Sequence, residues 1–127
     1  MASPIVFVSR NKIKEARLEE SRTHYQASIE ATVQSKPGTL VQLGYESDDS
    51  REFTVIRLFP DADAFDQQLM GADQRSKKTY EFIEPFAVEV YGTPSAFALE
   101  MMRKVAGSGI SVSVHPFFSG GFIRPRS

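Results

Sequence analysis

The chain has 127 residues, 41% hydrophobic and 24% charged, with a net charge of −1. That is enough for one folded domain with its own core, and too little basic excess for a protein that grips nucleic acid through its phosphates. No apolar run nears the roughly 20 residues of a membrane span, and Met1-Ala2-Ser3-Pro4 lacks the basic-then-apolar order of a signal peptide, so neither a membrane nor nucleic acid is expected as a partner. The absence of cysteine excludes disulfides, thiolate metal sites and cysteine nucleophiles, and fits an expected cytoplasmic location.

Ile5-Val6-Phe7-Val8, closed by Ser9-Arg10-Asn11-Lys12, predicts a buried strand. From Glu15 the spacing changes: Leu18, Arg22, Tyr25, Ile29 and Val33 recur at three and four residues, predicting a helix of about five turns with that stripe toward the core. Glu15, Glu19 and Glu20 lie in its first turns, where the helix dipole favours negative charge, and Lys36-Pro37-Gly38 ends it. Thr39 to Glu46 and Glu52 to Phe59 read as a hairpin joined by the polar Ser47-Asp48-Asp49-Ser50.

Asp61 is placed to cap a second helix with Ala62, Phe65, Leu69 and Ala72 on one side. Gly71 interrupts it, and Gln74 to Glu84 resumes helical composition. Phe86 to Tyr91 is a fourth strand, stopped by Gly92-Thr93-Pro94. Ser95 caps a shorter helix, Ala96 to Val105, which Gly107-Ser108-Gly109 ends. Ile110 to His115 alternates as a last strand, and a tail interrupted by glycine and proline follows.

The order β-α-β-β-α-β predicts an α+β, ferredoxin-like antiparallel sheet with helices on one face. The chain then forms a single domain, with a core at 4–92 and a C-terminal helix-strand extension at 93–127. Alternation along the strands sorts their residues into two faces. One, uniformly apolar and expected under the helices, carries Val41, Leu43, Tyr45, Thr54, Ile56, Leu58, Phe86, Val88 and Val90. The other carries Leu40, Gln42, Phe53, Val55, Arg57, Phe59, Ala87, Glu89 and Tyr91. At about 25 cal/mol per Å², leaving this second face in water would forfeit several kcal/mol. A second copy of the sheet is therefore expected to cover it, giving a homodimer with a partly polar cavity between the sheets.

The stretch from Arg57-Leu58-Phe59-Pro60-Asp61 through Ala64-Phe65-Asp66 to Gln68-Leu69 resembles the strand-to-helix junction of the antibiotic-biosynthesis-monooxygenase-like family, which are dimeric α/β barrels. In that family an aromatic residue ends the strand, a short acidic turn follows, and an Ala-aromatic pair opens the helix. Pro37-Gly38-Thr39-Leu40 and Asn11 fit the same pattern, and the resemblance spans roughly residues 4–92. It implies oxygenation of electron-rich aromatics without metal or flavin, with Asn11 as a polar pocket residue. Phe59 and Gln68 stand where catalytic members often carry Trp and His. The axial histidine of the haem-degrading branch would fall near Lys78.

Arg57 and Glu89 lie mid-strand on the same expected face, where charges are costly unless they pair or orient a ligand. Asn11 either caps a turn or enters the pocket. The expected site thus combines Asn11, Arg57 and Glu89, with Arg57 stabilising an enolate or phenolate and Glu89 moving a proton. Phe7, Gln42, Phe53, Phe59, Gln68 and Tyr91 would surround a compact, largely apolar organic ligand. No cofactor and no metal is expected: two histidines without cysteine give no usual zinc or iron set. Nor is there a P-loop, dinucleotide fingerprint or Gly-x-Ser-x-Gly elbow. His24 reads as a solvated helix residue, His115 as a strand-edge residue, and Tyr45, Tyr80 and Tyr91 as core or rim aromatics. The competing reading is a non-catalytic binding or assembly protein that uses the barrel and the extension around Val112 and Phe117-Phe118 to join a partner.

Overall fold

In the computed structural model, which describes residues 3–107 and 109–124, the chain runs β1 (Ile5–Ile13), α1 (Leu18–Ser35), β2 (Val41–Glu46), β3 (Glu52–Phe59), α2 (Ala62–Leu69), α3 (Ala72–Thr79), β4 (Ile83–Tyr91), α4 (Ala96–Ala106) and β5 (Ser111–His115). The strands form one sheet in the order β2-β3-β1-β4-β5. The first four are antiparallel neighbours in ferredoxin-like order. The helix α4 carries the chain back over the sheet, so β5 joins the edge of β4 in parallel. The expected Ser108 turn residue, Met1-Ala2 and the end of the tail lie outside the described residues.

Local chemistry sets most boundaries. Asp61 accepts a hydrogen bond from the Ala64 N–H at 2.8 Å and Ser95 one from the Ala98 N–H at 3.0 Å, so both act as the helix caps their positions predict. The Ser95 hydroxyl also donates to Asp66 Oδ1 at 2.7 Å, tying α4 to α2. The left-handed Gly71 separates α2 from α3.

Three boundaries depart most from expectation. The strand β1 continues through its polar half, because Ser9 to Lys12 find partners on both β3 and β4. The helix α1 starts at Leu18 rather than Glu15, after Ala16 takes a positive φ of 63°. The strand β4 begins at Ile83, inside a stretch expected to be helical, and Pro85 sits opposite Asn11 where the β1–β4 ladder shifts register. An irregular point of a ladder is where a residue without an N–H is tolerated.

The register corrects the assignment of faces. Phe7 lies beside Arg57 and Val90, and Arg57 beside Gln42. This is the face under the helices, where Ile5, Phe59, Val88 and Val90 pack with Phe65 and Leu69 of α2 and with Ala98 and Met102 of α4. Val8 lies beside Ile56 and Glu89 on the opposite face, together with Val41, Leu43, Tyr45, Leu58 and Tyr91. The residues of β2 and β3 expected under the helices therefore form the open face, while Val88 and Val90 are covered as expected. Both faces of the hairpin are apolar enough to be covered, so alternation alone does not choose between them.

Candidate functional site

Of its expected stripe, the helix α1 turns only Tyr25 into the space above the sheet. Arg22 is exposed and Val33 is 72% exposed, while Ser21, His24, Tyr25, Ser28 and Thr32 face inward. Short hydroxyl and methyl side chains do not fill the distance to the sheet. A partly open cavity of about 530 Å³ remains between α1, the α2–α3 segment and the helix-covered sheet face. This cavity lies inside the single chain, on the helix-covered side of the sheet. Tyr25 pins α1 over this space: its ring meets Phe53 edge-on at 4.8 Å and lies on Gly44, where a Cβ would come within 2.5 Å of the tyrosine Cζ.

Five of the residues expected at a site line this cavity: Phe7, Asn11, Phe53, Arg57 and Gln68. Asn11 is 2% exposed, and its Nδ2 donates to the Ser9 and Phe53 carbonyls and to Ser9 Oγ at 3.1–3.3 Å. It is a strand residue aimed by the β-bulge, not a turn cap. Gln68 on α2 is buried and accepts from the Thr39 hydroxyl. Arg57 donates its Nε to Gln42 Oε1 at 2.9 Å, and Gln42 in turn reaches Ser28 Oγ at 3.5 Å. Gln42 therefore stands behind Arg57, outside the cavity lining. Burial pushes the Arg57 guanidinium down to about 10, which leaves it a cation at neutral pH.

Glu89, Tyr91 and Phe59 do not join them. Glu89 lies on the open face, bonded to Arg10 Nε at 2.7 Å and to the Tyr91 hydroxyl at 3.0 Å. The Arg10 bond holds its carboxyl below the usual range, the opposite of the raised value a neutral acid needs. The expected Arg57–Glu89 partnership fails because the two side chains leave the sheet on opposite sides. Phe59 is fully buried, 5.0 Å from the Phe65 ring, as core rather than ligand wall. His115 stacks on Tyr91 at 4.7 Å on the same open face as Glu89.

The cavity also takes in residues not expected at a site, and His24, expected in solvent, is half-buried there. His24 Nε2 lies 2.9 Å from Thr79 Oγ1, and its ring is 5.3 Å from Phe82. Burial first, then the charge of Lys78, pushes its pKa down, so the imidazole is neutral at neutral pH. Tyr25 and Tyr80 line the wall, and burial pushes both phenols up. Arg75 donates to the Gln68 and Met70 carbonyls at 2.6 Å each, and Lys36 to the Gln67 carbonyl at 2.7 Å. Both cations thereby serve the unpaired carbonyls at the α2 C-terminus. The signal that was available is a second helical stripe, Ser21-Tyr25-Ser28-Thr32, polar where a core face would be apolar. Among the described residues no group of His, Cys, Asp and Glu is placed to hold a metal ion, and no helix is long and apolar enough to cross a membrane.

No family model matches the chain, and no curated protein does. Among solved structures, MupZ from Pseudomonas fluorescens superposes with a TM-score of 0.71 at 16% identity, covering 96% of this chain and 95% of that one. At that coverage the likeness includes α4 and β5. SnoaB from Streptomyces nogalater, a cofactor-independent oxygenase, gives 0.60 at 17% identity over 75% of this chain and 97% of its own. A protein from Bacteroides thetaiotaomicron, provisionally named an antibiotic biosynthesis monooxygenase, gives 0.58 at 21% identity over 69% and 85%. At these identities the likeness shows the fold.

Proposed function

We propose that this chain, which has the fold of the antibiotic biosynthesis monooxygenase-like proteins, binds a compact organic molecule in the cavity beneath α1 and oxygenates it without metal or flavin. The observation that carries this reading is the cavity itself: about 530 Å³, walled by Phe7, Phe53, Leu69 and Phe82, with a guanidinium and a neutral imidazole among its polar groups. The substrate is an enolisable or phenolic molecule. Neutral His24 takes its proton, and the positive field of the cations around the cavity, Arg57 among them, favours the enolate or phenolate that results. The electron-rich carbon then reacts with dioxygen. Oxidation of one CH2 to C=O consumes one O2 and releases one H2O, so no outside reductant is needed.

The open face of the sheet supports a homodimer. Leu43 and Tyr45, 45% and 58% exposed, stand there beside Val41, Ile56 and Leu58, a surface that a second copy would cover. Oxygen uptake tests the reading, measured with an electrode on mixing the protein with anthrone, an enolisable tricycle. Uptake above the protein-free rate that is lost in His24→Gln is the expected outcome. Uptake equal to that of buffer, or unchanged in the variant, refutes the oxygenase chemistry.

A further inference from the structure

Charge is distributed unevenly in this molecule. The chain as a whole carries a net charge of −1, yet the residues lining the cavity include Lys36, Arg57, Arg75 and Lys78 and, among the described residues, no aspartate or glutamate. Three of these cations have partners. Lys36 and Arg75 are bonded to carbonyls at the end of α2, and Lys78 pairs with Glu81 at 3.5 Å. Arg57 has no carboxylate partner among the described residues. Its one side-chain bond, from Nε to Gln42, is to a neutral amide. Of the five N–H groups of a guanidinium, the four on the two terminal nitrogens have no protein acceptor there. Those nitrogens are not sealed in the core either, since among the described residues no buried side-chain nitrogen or oxygen is left unbonded. They open into the cavity.

A half-buried cation of this kind is energetically unfavourable in the empty protein, and Arg75 adds like charge to it. No fold element needs it: β3 would pair equally well with an apolar residue at this position, as it does at Val55. What a planar fork of free donors does recognise is a carboxylate, bound through two parallel N–H···O bonds. Around it Phe7, Phe53, Val55 and Leu69 offer apolar surface for the rest of the ligand. We propose that the cavity selects an amphipathic monocarboxylate, its acid group seated on Arg57 and its apolar, enolisable body against the phenylalanines. This rests on the small-molecule reading above and narrows it. The carboxylate is the anchor, and the reacting carbon lies farther along the cavity toward His24.

Isothermal titration near neutral pH with 1-naphthoate and the isosteric neutral 1-naphthamide tests this on the wild-type protein, without relying on any variant's folding. The acid is expected to bind about 10- to 100-fold more tightly than the amide, the range of a charge-assisted bond pair. In Arg57→Met the preference disappears through weaker acid binding, with the amide changed by less than about twofold, and Arg57→Lys keeps part of it. Equal binding of acid and amide, or a preference that survives Arg57→Met, overturns the carboxylate anchor while leaving a cavity that binds aromatics. Binding of neither compound removes the small-molecule reading, and the anchor with it.

Discussion

Replacing Arg57 by Met separates a functional cation from a structural one. Burial pushes the Arg57 guanidinium down to about 10. The folded state therefore disfavours the charged form. Below about pH 10 the group is charged in both folded and unfolded chains, so the penalty is present in full at neutral pH and is relieved only as pH rises above about 10. At about 1.4 kcal/mol for each pH unit the ceiling is about 3 kcal/mol. Solvent in the cavity reaches the terminal nitrogens and screens about half of that. Met keeps the length of the aliphatic stem but loses the charge-assisted bond to Gln42, worth about 1.5 kcal/mol. The two nearly cancel, leaving a change within about 1 kcal/mol of zero. For 127 residues, at about 2.1 cal/mol/K of unfolding entropy per residue, this keeps the thermal midpoint within about 4 °C of the wild type. Differential scanning calorimetry of the ligand-free protein measures it. A fall of about 4 °C or more would mean that Arg57 holds the fold together, and the argument that it is kept for a ligand would be refuted.

Three further outcomes are expected. Gly44→Ala drives a Cβ into the Tyr25 ring and costs about 1–3 kcal/mol; in a double-mutant cycle Tyr25→Ala recovers much of that loss, and additive effects would show that the two residues are not coupled. His24, whose pKa is pushed down by burial, makes stability fall as pH drops below about 6.5, because the unfolded chain protonates first. His24→Gln flattens that part of the midpoint-against-pH curve, and an unchanged slope counts against a desolvated imidazole. Leu43→Glu on the open face turns a dimer into monomers by light scattering while binding beneath α1 persists; a wild-type protein that is monomeric at micromolar concentration rules out the dimer.

The caps and breaks of the helices were legible because their chemistry is local. Asp61 and Ser95 bond to N–H groups three residues on, and Gly71 needs only its own backbone. The core partners Phe65 and Leu69 followed from spacing, since α2 packs directly on the sheet. The orientation of the sheet was not legible. Phe53, Val55 and Phe59 compete with Thr54, Ile56 and Leu58 for the covered side, and a shift of one residue exchanges them all. That exchange separates the expected pair: Glu89 keeps its place on the open face, while Arg57 moves under the helices.

The same difficulty explains α1. A helix that spans a cavity has no reason to be apolar on its inner side, so an apolar stripe at Ile29 and Val33 draws attention to the wrong arc. The residues that break the local rules lie together in the fold: an arginine under the helices, an asparagine buried at a bulge, and hydroxyls on the inner face of α1. Each alone has a bland structural account. Arg57, Asn11 and Ser28 around one cavity do not, because an apolar residue at each position would pack the same fold more tightly. Polar groups that a fold does not need, gathered where space has been left, are better explained by what enters that space than by the stability of the fold around it.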